Sequence, residues 1–155
     1  MFGLGKKGKV TSSIGKALHQ QIYSAMTENE QLTNERLLSL FTNGYISTFV
    51  LCVYSFEELN AEKMFNNNFR KILDGVLPNK LYEIFLRQNE MRQLADTMEE
   101  SKPSEMVTGN QNPKYFEEAK LLAKEDAKSF VNTGDMDSAN SWYSYLTGKD
   151  NYSQL

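Results

Sequence analysis

The chain has 155 residues, of which 40% are hydrophobic and 12% aromatic, and its formal net charge at pH 7 is −3. This length fits one domain, and the apolar content excludes an intrinsically disordered chain. The single cysteine, Cys52, excludes an intramolecular disulfide and favours a reducing compartment. Because the β-branched residues form no alternating runs, we predict an all-α fold.

The N-terminus is basic and rich in glycine, and the first acid of the chain is Glu28. We predict a flexible basic leader over residues 1–10 and a single helical domain over residues 11–155. Lys6, Lys7 and Lys9 of the leader are candidate contacts to an anionic surface. No apolar segment follows these lysines, so the sequence predicts no signal peptide and a cytoplasmic location.

The first helix is predicted over 12–28, where one apolar stripe recurs at three- and four-residue spacing. The stripe consists of Ile14, Leu18, Ile22, Ala25 and Met26.

Leu37 to Phe56 form a run of twenty residues without a formal charge, after a possible helix cap at Thr33 or Asn34. A run of about 20 apolar residues is long enough to span a bilayer. A helix covered on all sides in a helical bundle has the same character. Seven of the twenty residues are Ser, Thr, Asn or Gly, which favours the covered helix. Gly44 marks either a close helix crossing or a kink.

Further helices are predicted over 59–73, 78–100, 114–131 and 136–147, with a loop over 101–113 that contains two prolines. The predicted architecture is therefore a single-domain bundle of about six helices around a central apolar helix. Its last two helices form a C-terminal αα-hairpin over 114–147.

The hairpin resembles one tetratricopeptide repeat unit, which places small and aromatic residues at fixed positions. The matching residues are Ala127, Phe130, Gly134, Asp135, Ala139, Tyr143 and Leu146. Ala123, Asp126 and Asn151 depart from the pattern, and an ordinary αα-hairpin is the alternative. The resemblance implies a scaffold for peptide or protein binding.

Few residues of the sequence are suited to catalysis or to metal binding. His19 is the only histidine, so a closed Cys/His zinc site and a glycine-flanked Ser-His-Asp triad are not predicted. We predict no metal and no cofactor. Carboxylate groups are the remaining candidates for acid–base work, with ordinary solvated surface as the alternative. These are Glu57, Glu58, Glu62, Glu117, Glu118, Glu125 and Asp126.

We therefore expect a small intracellular protein that binds another macromolecule, as an adaptor, inhibitor or immunity-type binder. Its acidic body suits a basic partner surface. Trp142 and Tyr145 are predicted to lie outside the inward stripe and to anchor a protein partner; core packing is the alternative. The alternative functions are membrane association, through Leu37–Phe56 or the leader, and a carboxylate-centred enzyme. Nucleic-acid binding is not expected, and a homo-oligomer would cover any exposed part of the central helix.

Overall fold

A computed structural model describes residues 5–28, 33–97 and 113–148. These residues form seven α-helices and two short 3₁₀ turns, at Pro78–Lys80 and Met136–Ser138, and no strand. The prediction of an all-α bundle is confirmed. The helices are α1 Lys6–Glu28, α2 Asn34–Leu37, α3 Leu40–Phe56, α4 Ala61–Val76, α5 Leu81–Thr97, α6 Pro113–Thr133 and α7 Ser141–Thr147.

Helix α1 begins at Lys6, inside the segment predicted to be a flexible leader. Val10 is buried in the core and anchors these first turns. The Thr11 hydroxyl donates to the Lys7 carbonyl at 2.8 Å and lies 2.6 Å from the Tyr54 hydroxyl of α3. Because these contacts fasten the start of the helix to the core, residues 6–10 are helical; residues 1–4 of the leader lie outside the described residues.

The predicted helix over Leu37–Phe56 is divided in two. Thr33 caps α2, as its position predicted, but α2 ends at Leu37. Ser39 then has an extended backbone, and its Oγ accepts a hydrogen bond from the Thr42 N–H at 3.2 Å. A serine in this position satisfies one of the free N–H groups at a helix start, so α3 begins anew at Leu40.

Helix α3 is the central helix of the bundle. It packs most extensively against α6, with α4 and α1 on its other sides. The side of α6 that faces α3 carries small side chains, namely the fully buried Ala119, Ala123 and Ala127. The prediction that this uncharged segment is covered by neighbouring helices is confirmed, although Leu51 remains 37% exposed. Among the described helices, none combines the length and the apolarity needed to cross a bilayer.

At Gly44 the backbone of α3 lies close to that of α6. A Cβ atom at this position would lie 2.7 Å from the backbone oxygen of Phe116 and 3.4 Å from the Cβ of Ala119. Contacts under 3 Å are not tolerated by real Cβ atoms, so only glycine fits without moving the backbone. Of the two roles predicted for Gly44, the structure shows the close helix crossing.

The next helices differ from prediction at their ends. Asn60 caps α4 by accepting from the Lys63 N–H at 3.1 Å, and Gly75 does not end the helix, which continues to Val76. Pro78 begins a 3₁₀ turn in which Asn79 has a left-handed backbone with a φ of 56°. Helix α5 therefore starts at Leu81, three residues later than predicted.

The C-terminal hairpin differs from its prediction, because residues 136–138 form a 3₁₀ turn and the helix predicted over 136–147 starts at Ser141. A 3₁₀ turn separates α6 from α7, and α7 packs chiefly against α1. The buried side chains of all these helices join one hydrophobic core. The single domain over 11–155 stays a prediction, since 98–112 and 149–155 lie outside the described residues.

Gly44→Ala should lower the free energy of unfolding by about 1–3 kcal/mol, because the new methyl group forces α3 and α6 apart. Urea denaturation followed by circular dichroism measures this. Gly75→Ala is the matched control: a Cβ there meets nothing within 4 Å, so this helical substitution should stabilise by about 0.5–1 kcal/mol. Equal effects of the two substitutions would contradict the close crossing.

Candidate functional site

Trp142 and Tyr145 lie in the core, with exposed fractions of 0% and 2%. The Trp142 Nε1–H donates to the Thr42 hydroxyl at 3.0 Å. The Tyr145 ring stacks on Phe41 with 4.2 Å between centroids. The predicted outward orientation of this aromatic pair is therefore wrong, and neither side chain is exposed to a partner in this structure.

Contacts from α2 and the start of α3 explain the burial of Tyr145. Its hydroxyl donates to the Ser39 Oγ at 2.8 Å, and its carbonyl accepts from an Arg36 guanidinium N–H at 2.8 Å. The same guanidinium lies 5.2 Å from the centre of the Tyr145 ring, within cation–π range. Both neighbours are more than a hundred residues away in sequence, so the spacing of residues within α7 does not reveal them.

A buried carboxylate, Asp126, joins α6 to α3 and α7. Its Oδ2 accepts from the Tyr45 hydroxyl at 2.6 Å and from the Ser141 N–H at 2.9 Å. Its Oδ1 accepts from the Ser141 hydroxyl at 3.0 Å. Burial raises the pKa of Asp126 above its ordinary value, and the hydrogen bonds from Tyr45 and Ser141 offset part of that rise.

Gln21 extends this network to α1. Its Nε2 donates to the Tyr45 hydroxyl at 3.1 Å, and its Oε1 accepts from the Tyr143 N–H at 3.0 Å. Asp126 thus has a donor for each carboxylate oxygen. It lines neither the open groove between α1 and α4 nor a smaller pocket beside Gln21. We assign Asp126 a structural role.

The other predicted reactive groups do not assemble. Within 5–28, 33–97 and 113–148, no three His, Cys, Asp or Glu side chains are placed to hold a metal ion. Glu58 and Glu62 are exposed. Cys52 is half-buried, and burial raises the pKa of its thiol while Lys124 acts in the opposite direction. His19 is exposed and stacks on Tyr23, with 6.0 Å between ring centroids.

An open groove of about 1030 Å³ runs between α1 and α4. We call it the α1–α4 groove. Its floor contains Met64 and Ile72, which are buried, and its walls are half-buried or exposed. The wall residues are Lys7, Gly8, Thr11, Ser12, Gly15, Lys16, His19, Gln20 and Tyr23 of α1, and Lys63, Asn67, Asn68, Lys71 and Gly75 of α4.

Four exposed lysines line the groove, two from each helix: Lys7, Lys16, Lys63 and Lys71. Within 5–28, 33–97 and 113–148, no aspartate or glutamate belongs to the lining. Among the described residues, none of the four lysines lies in an ion pair. The groove is thus a locally basic surface on a chain of net charge −3.

The sequence located only part of this site. Lys7 was a predicted anionic contact and lines the groove, whereas Lys6 and Lys9 are exposed but outside its lining. Lys63 and Lys71 were missed. Their spacing of eight residues places them on one face of α4, which the sequence alone could have indicated. The pairing of α4 with α1 could not be predicted from the sequence.

The groove side of α1 is lined by small residues. Gly8, Ser12 and Gly15 follow at four- and three-residue spacing, which places them on one face of the helix. A Cβ at Gly15 would have no atom within 4 Å. The surface is therefore open to close approach from outside.

Comparison with known proteins gives no relative. No protein family matches the chain, no curated protein matches it, and no solved structure matches its fold. The resemblance to a tetratricopeptide unit also fails in the structure, because Ala139 precedes α7 instead of lying within the second helix. The site is therefore interpreted from its own geometry.

Tyr145→Ala should lower the free energy of unfolding by about 3–5 kcal/mol, because a large fully buried side chain is removed. Tyr145→Phe, which deletes only the hydrogen bond to Ser39, should cost about 1 kcal/mol. Tyr23→Ala is the control; its side chain is 64% exposed, so the change should stay within about 0.5 kcal/mol. Thermal or urea denaturation measures all three, and an unchanged stability of Tyr145→Ala would refute the burial.

Tyr45→Phe should destabilise the protein more at pH 7 than at pH 4. The folded-state pKa of Asp126 is raised, so this group favours folding when protonated, and that contribution is lost as pH rises through the folded-state pKa. Without the Tyr45 hydroxyl the ionised carboxylate loses one donor, and the pKa rises further.

Urea denaturation of both proteins at the two pH values measures this effect as a difference, in which the titration of other groups cancels. Tyr54→Phe is the control, because the Tyr54 hydroxyl pairs with Thr11 and not with a carboxylate. A loss that is the same at pH 4 and pH 7 for Tyr45→Phe would show that Asp126 is not the titrating group.

Proposed function

We propose that this protein acts in the cytoplasm by binding another macromolecule, and that the α1–α4 groove is the binding surface. One observation carries the proposal: lysines from two helices line one open cavity, and no described residue of its lining is acidic. Like charges held near one another repel, and an anionic partner relieves that repulsion. The groove therefore favours an acidic partner, in contrast to the basic partner suggested by the net charge.

A catalytic role has less support. Among the residues that the structure describes, the groove contains no carboxylate to act as a base beside His19. Its Thr11 hydroxyl is engaged with Tyr54 and the Lys7 carbonyl. The lining offers positive charge, amide groups and an apolar floor, which are the components of recognition.

Membrane association through the leader lysines is the second candidate. Lys6, Lys7 and Lys9 are exposed near the start of α1 and are compatible with weak attraction to anionic lipid. Only Lys7 of these three lines the groove. The two candidates share Lys7 but otherwise depend on different lysines, so substitutions at the other positions separate them.

The test is affinity capture from native lysate with two double variants of equal charge. Lys16→Glu with Lys71→Glu reverses the groove, while Lys9→Glu with Lys128→Glu changes exposed lysines outside its lining. We expect the wild type and the control to retain the same protein partner, and the groove variant to lose at least about tenfold, equivalent to about 1.4 kcal/mol. Equal recovery by both variants, or no captured partner, would contradict the proposal.

A further inference from the structure

The occupant of the α1–α4 groove can be specified further, on the assumption that the proposed function holds. We propose that the groove binds an acidic amphipathic α-helix of about 12–16 residues, presented by a partner protein. The inference rests on four features of the groove: its length, its helical walls, its apolar floor and its charge.

The length of the groove sets the length of the ligand. Its lining extends over residues 7–23 of α1 and 63–75 of α4. At 1.5 Å per residue these walls are about 24 Å and about 18 Å long. A helix that fills the groove therefore has about 12–16 residues, or three to four turns.

The walls suit a helix better than an extended peptide. Both are helices whose lining residues recur every three or four positions, which creates the ridges and grooves of helix–helix packing. The α1 wall has small side chains at Gly8, Ser12 and Gly15, so that a helix backbone can approach α1 closely. An extended peptide that binds by strand addition would need an open strand edge, and the described part of the chain contains no strand.

The floor selects an apolar stripe. Met64 and Ile72 lie eight residues apart on α4 and are both in the groove lining. A ligand helix with apolar residues at i, i+3 or i+4, and i+7 would cover them. Tyr23, stacked on His19, adds an exposed aromatic surface to the α1 wall.

The lysines select the flanks of the ligand. Lys7 and Lys16 belong to one wall, and Lys63 and Lys71 to the other. Aspartate or glutamate on both sides of the apolar stripe would therefore meet a positive charge on either wall. These are exposed pairs, so they contribute more to association rate and orientation than to affinity, and added salt weakens them.

Other anionic ligands fit less well. The described residues of the lining include one exposed tyrosine and no arginine. Grooves for single-stranded nucleic acid instead interleave basic and stacking side chains. A flat bilayer cannot contact a concave floor. A small amphiphile requires a pocket that covers about 70–90% of its surface, and the walls here are largely exposed.

The test is selection from a display library of random 16-residue peptides on the full-length protein. We expect the selected peptides to combine aspartate or glutamate with apolar residues at helical spacing. A labelled selected peptide should gain helical circular dichroism on binding. Its Kd should rise at least tenfold with Lys16→Glu/Lys71→Glu and less than twofold with Lys9→Glu/Lys128→Glu.

A steric pair of variants gives a second, independent measurement. Gly15→Phe places a ring in the groove where a Cβ has no neighbour within 4 Å, so the fold should be retained and peptide binding lost. Ser13→Phe, on the same helix but outside the lining, should bind as the wild type does. Melting curves verify folding, and the lysine pair carries the test if Gly15→Phe does not fold.

Several outcomes would overturn the inference. The first is a library that yields no binder, and the second is a set of selected peptides that are neutral or basic. The third is a peptide affinity that does not change when the groove lysines are substituted. Groove-dependent binding of phosphatidylserine–phosphatidylcholine vesicles or of an oligonucleotide, with none to peptides, would also overturn it. If a captured partner depends on the groove lysines but no acidic helix binds, the inference fails while the proposed function stands.

Discussion

The buried carboxylate of Asp126 is the interaction on which the arrangement of the helices depends. It ties α6 to α3 through the Tyr45 hydroxyl and to the start of α7 through Ser141. Gln21 continues the same network into α1. A buried charge is tolerated only when donors replace its lost water. Because these donors come from different segments, the carboxylate is satisfied only when the helices meet in this arrangement.

This network also determines which face of α1 remains free. One side of α1 faces the core through the buried side chains of Ile14, Leu18 and Gln21. The Gln21 side chain also accepts a hydrogen bond from a backbone N–H of α7. The other side, with its small residues and Lys16, lines the groove together with α4 in the described part of the chain. The contacts that seat α7 on one side of α1 therefore leave the opposite side as one wall of the groove. The polar network and the candidate site are thus two sides of one helix.

Local patterns in the sequence predicted what local physics decides. Four residues of the stripe predicted for α1 are buried, whereas the fifth, Met26, is 46% exposed. The cap predicted at Thr33 or Asn34 lies at Thr33. Both patterns depend on neighbours within one or two turns. The break at Ser39 was missed, because an uncharged run gives no periodicity to interrupt. Trp142 was misplaced because its partner, Thr42, lies a hundred residues earlier. The groove could not be predicted as a cavity, although Lys7 of its lining was a predicted contact, since it exists only once α1 and α4 are paired.

Under the proposed function, the local charge of the groove is a better guide to the partner than the net charge of the chain. At physiological salt a charge is screened beyond about 8 Å, so an approaching group responds to the nearest lysines and not to the total of −3. An acidic helix is therefore attracted within the groove and repelled by the acidic surface elsewhere. Under the proposed function this contrast contributes specificity in addition to affinity, because the ligand gains favourable contacts in one place only. The remainder of the surface is acidic on balance, although it includes exposed lysines such as Lys9 and Lys128, and this balance disfavours most other docking positions.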